Sequence, residues 1–297
     1  MPDKLLVLLE TFWLFCCWFV GALLGAMLMQ LTASAFGIGN WQNLISEIKA
    51  GAALDHINTI KIISIVGHLT AYSLPALVFA LIIKGKKFHS LLLLDKNPGF
   101  RNIPLIIIAI LCVYPAVLWI AYFNINLLPA HMIAKDTLIF EQRLMQMNSP
   151  TDLLLNIVLL GLVAGVGEEL LYRGAIQQLF VRFGRNIHLA VWSTALLFSI
   201  THFQPEGLIP RMLMGAFLGY LCFWTGSLWS SIIAHISFNS LQVLIFYYFI
   251  DAEKLSSIYQ QPDFSFLLTI ILIGIFIFVS FLIWKINKGR QLKLEID

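Results

Sequence analysis

Apolar residues come in long blocks, and the length of each block decides what it is. A helix needs about 20 mostly apolar residues to cross a bilayer core. Blocks of that kind fall near residues 5–31, 58–83, 102–123, 151–181, 187–203, 208–225, 228–250 and 265–286. They predict an all-α fold, a polytopic transmembrane bundle of about eight spanning helices. The blocks near 187 and 208 are short and close together, so the count rests least on them.

Composition agrees with the pattern. The chain is 59% hydrophobic and 12% charged, against about 25% charged in an average soluble domain. It shows no soluble domain, no repeats and no low-complexity tract. Nor does it have a basic run of the kind that binds nucleic acid. The bilayer is the partner this composition implies. "ASA" at Ala33–Ala35 mimics a signal-peptidase site, but the apolar stretch before it begins near Leu5. That exceeds the ~7–15 residues of a signal h-region, which predicts a retained first span. Cys16, Cys17, Cys112 and Cys222 all lie in apolar stretches without C-x-x-C spacing, and read as small buried hydrophobes.

The basic residues set an orientation. With the N-terminus inside, Lys4, Lys84, Lys86, Lys87, Lys96, Arg101, Arg182, Arg185, Lys285, Lys288, Arg290 and Lys293 fall on the cytoplasmic side. Lys49, Lys61, Lys135, Arg143, Arg211 and Lys254 fall outside. The bias predicts both termini in the cytoplasm. "KGKKFHSLLLLDKNPGFR", residues 84–101, mixes basic residues with leucines and reads as a segment lying along the inner membrane surface. The outer loops at 32–57 and 124–149 show no chemical pattern.

Polar residues at membrane depth are where function is expected. "GEELLYRG" puts Glu168, Glu169 and Arg173 inside an apolar block. An Asp, Lys or Arg at a helix centre costs roughly 2.5–3.5 kcal/mol on insertion scales. Glu169 and Arg173 are i and i+4 with the acid first, the better order for an intrahelical pair. Glu168 points about 100° away and has no such partner. Phe198 and His202 share a face of the fifth block, and His235 and Asn239 share a face of the seventh. At 1.5 Å per residue, Glu168 lies ~18 Å and His202 ~22 Å from the inner edge, with His235 and Asn239 at ~10 and ~16 Å. These depths allow the residues to meet in the inner-to-middle part of the core. His68, alone among apolar neighbours, reads as a simple hydrogen-bonded helix contact.

One free carboxylate, two imidazoles and an amide suit hydrolysis of a carbonyl compound. A carboxylate in an apolar site can take a proton from water. A histidine can orient that water, and imidazole N–H and Asn amide groups can stabilise an oxyanion. No Ser-His-Asp or Cys-His set lies at matching depth, and H-E-x-x-H is absent. No cofactor is favoured. Zinc held by Glu168, His202 and His235 is chemically allowed.

These residues resemble the motifs of the CPBP family of intramembrane endopeptidases (CAAX proteases and bacteriocin-processing enzymes, also called Abi), to which the type II CAAX prenyl proteases belong. The E-E-x-x-x-R motif falls on Glu168, Glu169 and Arg173, its end reading "YRG" as in many members. The F-x-x-x-H motif falls on Phe198 and His202, and H-x-x-x-N on His235 and Asn239. The likeness covers roughly residues 150–250, flanked by about three N-terminal spans over 1–149 and a last span with a basic tail over 251–297. It implies a bundle of about eight helices with a polar cavity opening to the cytoplasm. It implies Glu168 as the base that activates water, with His202 assisting and His235 and Asn239 forming the oxyanion site. Glu169, Arg173 and Phe198 would support them, and the substrate would be a peptide or membrane-protein segment, prenylated in part of the family. Metalloprotease chemistry and glutamate-dependent, metal-free hydrolysis are both attached to the family, and the absent H-E-x-x-H with an Asn in the third motif favours the metal-free route. Two other classes stay open: a non-catalytic scaffold or bacteriocin-immunity protein of the same fold, and a proton-coupled transporter using Glu168 as a relay.

Overall fold

The computed structural model describes residues 4–49, 57–249, 262 and 264–290, and every regular element among them is a helix. Lys254 and Lys293, used in the charge count, lie outside the described residues. The helices are α1 (Lys4–Ala35), α2 (Trp41–Lys49), α3 (Ile57–Leu91), α4 (Asn102–Leu127), α5 (Lys135–Leu144), α6 (Pro150–Gly184), α7 (Ile187–Ile200), α8 (Leu208–Thr225), α9 (Leu228–Phe249) and α10 (Phe266–Ile286). Among the described residues, 7 helices are long and apolar enough to cross a membrane, and α7 is a shorter apolar one. The protein is therefore an integral, multi-pass membrane protein, with α7 as the short member of the expected eight. α1 runs unbroken through Ala33–Ala35, as the length of its apolar block requires.

α7 has 14 residues, or ~21 Å, which falls short of a ~30 Å core. The turn after it therefore lies deep, with Gln204 and Glu206 buried. Backbone at such depth must find protein partners. Asn124 supplies two, its Nδ2 donating to the Pro205 and Glu206 carbonyls at 2.9 and 2.6 Å. Gln204 Nε2 donates to Glu141 Oε1 of α5 at 2.7 Å, and Arg211 Nη2 donates to Gln204 Oε1 at 2.6 Å. The loop at 124–149, featureless in sequence, is thus the cover of this turn. Lys61, counted with an outer loop, is buried in α3, where its Nζ donates to the Gln146 carbonyl at 3.2 Å.

The other end carries the basic loops. Arg182 of α6 pairs with Glu10 of α1. Asn102 and Asn287, both buried, exchange amide hydrogen bonds of 3.1 and 2.9 Å and tie α4 to α10. Residues 84–101 do more than lie on a surface. Lys84, Lys86 and Lys87 are exposed, but Leu92 and Leu93 are buried against the main core, and the Leu93 carbonyl accepts from Leu228 N at 3.1 Å, satisfying the start of α9.

Two features of α6 place the site. First, it contains two π-helical stretches, Ile157–Val163 and Leu170–Ile176, on either side of Glu168 and Glu169. A third, Leu69–Ser73 in α3, follows His68. Wider turns of this type cluster at functional sites. Side-chain amides donate to carbonyls within two of them, Asn239 Nδ2 to Leu160 O (2.8 Å) and Gln178 Nε2 to Arg173 O (3.0 Å). Second, glycines let neighbours approach. A Cβ on Gly165 would lie 3.0 Å from Ile236 Cγ1 and 3.2 Å from its backbone nitrogen in α9, and one on Gly167 would lie 2.9 Å from Ser73 Oγ in α3. Small residues are the usual means of close helix packing in membranes.

Gly165→Leu should therefore destabilise the protein by about 1–3 kcal/mol. Gly274→Leu is the control, since nothing lies within 4 Å of the Cβ it would gain. Thermal unfolding of both variants in detergent measures the difference, and equal midpoints would contradict the close α6–α9 contact.

Candidate active site

Successive residues on a helix diverge by about 100°, and at Glu168 and Glu169 that divergence separates two environments. Glu169 is fully buried. Its Oε1 accepts from Arg173 Nη1 at 2.6 Å and meets His235 Nδ1 at 2.8 Å. Arg173, also fully buried, donates from Nη2 to the Gly215 carbonyl of α8 at 2.9 Å, and its guanidinium lies 4.7 Å from the centre of the Phe198 ring in α7. One ion pair thereby joins α6, α7, α8 and α9. The i, i+4 pairing expected from sequence is present, and it is interhelical in its consequences.

Glu168 is 6% exposed and faces imidazoles. His235 Nε2 lies 3.7 Å from its Oε2, and His68 Nε2 lies 3.4 Å from its Oε1. His235 thus stands between the two carboxylates, one ring nitrogen toward each. Because its Nδ1 serves the Glu169 carboxylate, the hydrogen sits on that nitrogen, and Nε2 can donate only from the charged ring.

His202 sits one turn beyond Phe198 of α7, its Nδ1 paired with the Phe198 carbonyl at 2.8 Å. A carbonyl only accepts, so Nδ1 carries the hydrogen and Nε2 is left as the acceptor. The Phe198 ring meets His202 and His235 edge-on at 5.0 and 6.1 Å, and Tyr172 at 5.1 Å. Asn239 lies on the same face of α9 as His235, with its amide donating to the Leu160 carbonyl of α6.

His68 makes the helix contact expected of it, against the Ala164 carbonyl of α6, and does more. Its ring faces Glu168 and stacks on Tyr72, with centroids 4.4 Å apart. The Tyr72 ring lies 6.4 Å from that of Tyr172, centre to centre, and the Tyr172 hydroxyl lies 2.6 Å from Thr201 Oγ1. The available signal was the i, i+4 spacing of His68 and Tyr72 in an apolar helix.

Among the described residues, no three His, Cys, Asp or Glu side chains are placed to hold a metal ion. Two cavities lie away from the cluster, one of about 450 Å³ beside Met29 and Trp41 and one of about 350 Å³ beside Lys96 and Trp229.

Residues 150–241 match the family described as Type II CAAX prenyl endopeptidase Rce1-like. The match runs from the start of α6 to just past Asn239, spans all three motifs and bears out the resemblance they carry. No curated protein and no solved structure matches the chain. The family match supports a CAAX-type intramembrane endopeptidase in general, acting on a peptide or membrane-associated substrate.

The two carboxylates should respond differently to neutralisation. Glu169→Gln leaves Arg173 buried without its counter-charge and should cost about 3–5 kcal/mol. Glu168→Gln breaks no such pair and should change stability by less than about 1 kcal/mol. Thermal midpoints of the two purified variants make the comparison.

Proposed function

We propose that the chain hydrolyses a peptide bond in a membrane-associated substrate, with Glu168 as the base that activates water. The observation that carries this reading is the division within the glutamate pair. Glu169 is committed to Arg173 and His235, while Glu168 keeps both oxygens facing ring nitrogens in a buried setting.

In this reading a water molecule binds between Glu168 and the free Nε2 of His202. Glu168 takes its proton as the oxygen attacks the scissile carbonyl carbon. The carbonyl oxygen becomes an oxyanion, met by the remaining Asn239 amide hydrogen and by His235 in its charged form. Glu168 then returns the proton to the leaving amine as the C–N bond breaks, so the balance closes with water as the only co-reactant. Arg173, Glu169 and Phe198 hold His235 and the helices in register. Residues 150–250 are the catalytic core, and both termini and the basic end of the bundle face the cytoplasm. The substrate is a peptide or membrane-protein segment, with a prenylated C-terminal peptide as one candidate. Hydrolysis is metal-free, and zinc chemistry through Glu168, His202 and His235 is the competing route.

The test is proteolysis by protein reconstituted in vesicles, on one prenylated and one plain peptide, with and without thorough chelation. Glu168→Gln and His202→Ala should each lower turnover, the former by about 10²–10⁴-fold, and chelation should leave the wild type unchanged. Full activity of Glu168→Gln would overturn the hydrolytic assignment. Loss on chelation with recovery on added zinc would overturn the metal-free one.

A further inference from the structure

We propose that His68 is a positioning residue of this site, holding the Glu168 carboxylate from the side opposite His235. The proposal rests on the hydrolytic reading of Glu168. His68 belongs to α3, outside the segment 150–241 that carries the three motifs.

Four observations support it. Each oxygen of Glu168 faces a different ring, Oε1 toward His68 Nε2 at 3.4 Å and Oε2 toward His235 Nε2 at 3.7 Å. His68 Nε2 is buried and has no hydrogen-bond partner, which is rare for a ring nitrogen and marks a polar atom kept for use. The ring is fixed on its other sides, stacked on Tyr72 and lying against the Ala164 carbonyl. Finally, the backbone is shaped around it. A π-helical stretch begins at the next residue, and a Cβ on Gly167 would lie 3.5 Å from His68 Cδ2 and 2.9 Å from Ser73 Oγ. The glycine before Glu168 is what lets α3 and its histidine come in this close.

A base that activates water must keep its carboxylate in one orientation, because a carboxylate free to rotate loses the aligned water. Contacts of 3.4 and 3.7 Å are long for hydrogen bonds, and such contacts commonly tighten only when substrate is bound. Before substrate binds, two imidazoles, one per oxygen, define that orientation. His68 Nε2 can donate to Oε1 only from the charged ring, because its other nitrogen faces the Ala164 carbonyl. Once the oxyanion draws on His235, His68 is the ring that stays on the carboxylate. His235 is in turn held by Glu169, and His68 by Tyr72, so the carboxylate is braced from two separate helices.

The test compares His68→Phe, which keeps the aromatic stack and removes the nitrogen, with His68→Gln, which restores a nitrogen near the same place. Full-length variants are reconstituted in vesicles and assayed on the peptide that the wild type cleaves, with Glu168→Gln alongside. His68→Phe should lower kcat about 10–100-fold, with KM changed by less than about twofold and the thermal midpoint unmoved. His68→Gln should recover most of the lost kcat. Wild-type kcat in His68→Phe would overturn the proposal, as would equal impairment of the two variants. If His68→Phe does not fold, a His68→Gln kcat below about a tenth of wild type overturns it alone. An inactive Glu168→Gln beside an unaffected His68→Phe would reject only His68, whereas an active Glu168→Gln would reject the hydrolytic reading itself.

Discussion

The buried contact of Glu169 with Arg173 and His235 is the constraint on which the rest depends. An isolated charge cannot be held in a bilayer interior without a partner. Here one carboxylate oxygen takes a guanidinium at 2.6 Å and an imidazole at 2.8 Å. The same guanidinium reaches a carbonyl of α8 and the face of Phe198 on α7. Four helices are therefore positioned by two charged side chains one turn apart. The orientation of His235 is a by-product of that pairing, and it is His235 that brings α9 to Glu168. The neighbouring carboxylate is left to face His68 and His235 because Glu169 has taken the guanidinium.

The polar ends of the bundle obey the same requirement in milder form. Where α7 stops short, Asn124 and α5 supply the partners that bilayer cannot. Where α9 begins, the Leu93 carbonyl meets its first amide, and the leucines of residues 84–101 fill the space beneath. Buried backbone has to be paired, so loops that look empty of chemistry in sequence become structural once a short helix leaves a gap.

Much of this was legible in the amino-acid order, and the exceptions have physical causes. Block length located the spans within a few residues, as with 102–123 against Asn102–Leu127 and 228–250 against Leu228–Phe249. The Glu169–Arg173 pair was legible because both partners sit on one helix at fixed spacing. His68 was not, because its partner lies on another helix and hydropathy carries no information on which helices touch. The π-helical stretches were also hidden, since one residue of extra winding leaves composition unchanged. They matter to the site all the same, since Asn239 finds its carbonyl in one and Arg173 lies in another. The tautomer of His235 required the structure too, and it ties any donation from Nε2 to the charged ring.

In the proposed reaction adjacent glutamates divide the labour, Glu169 for architecture and Glu168 for chemistry. The most direct measurement is turnover per folded molecule for Glu168→Gln and Glu169→Gln under conditions where both retain folded protein. Folded Glu169→Gln should keep at least several-fold more turnover than folded Glu168→Gln, which should fall to about a hundredth of wild type or less. Equal turnover in the two, or a folded Glu168→Gln protein that cleaves at the wild-type rate, would contradict it.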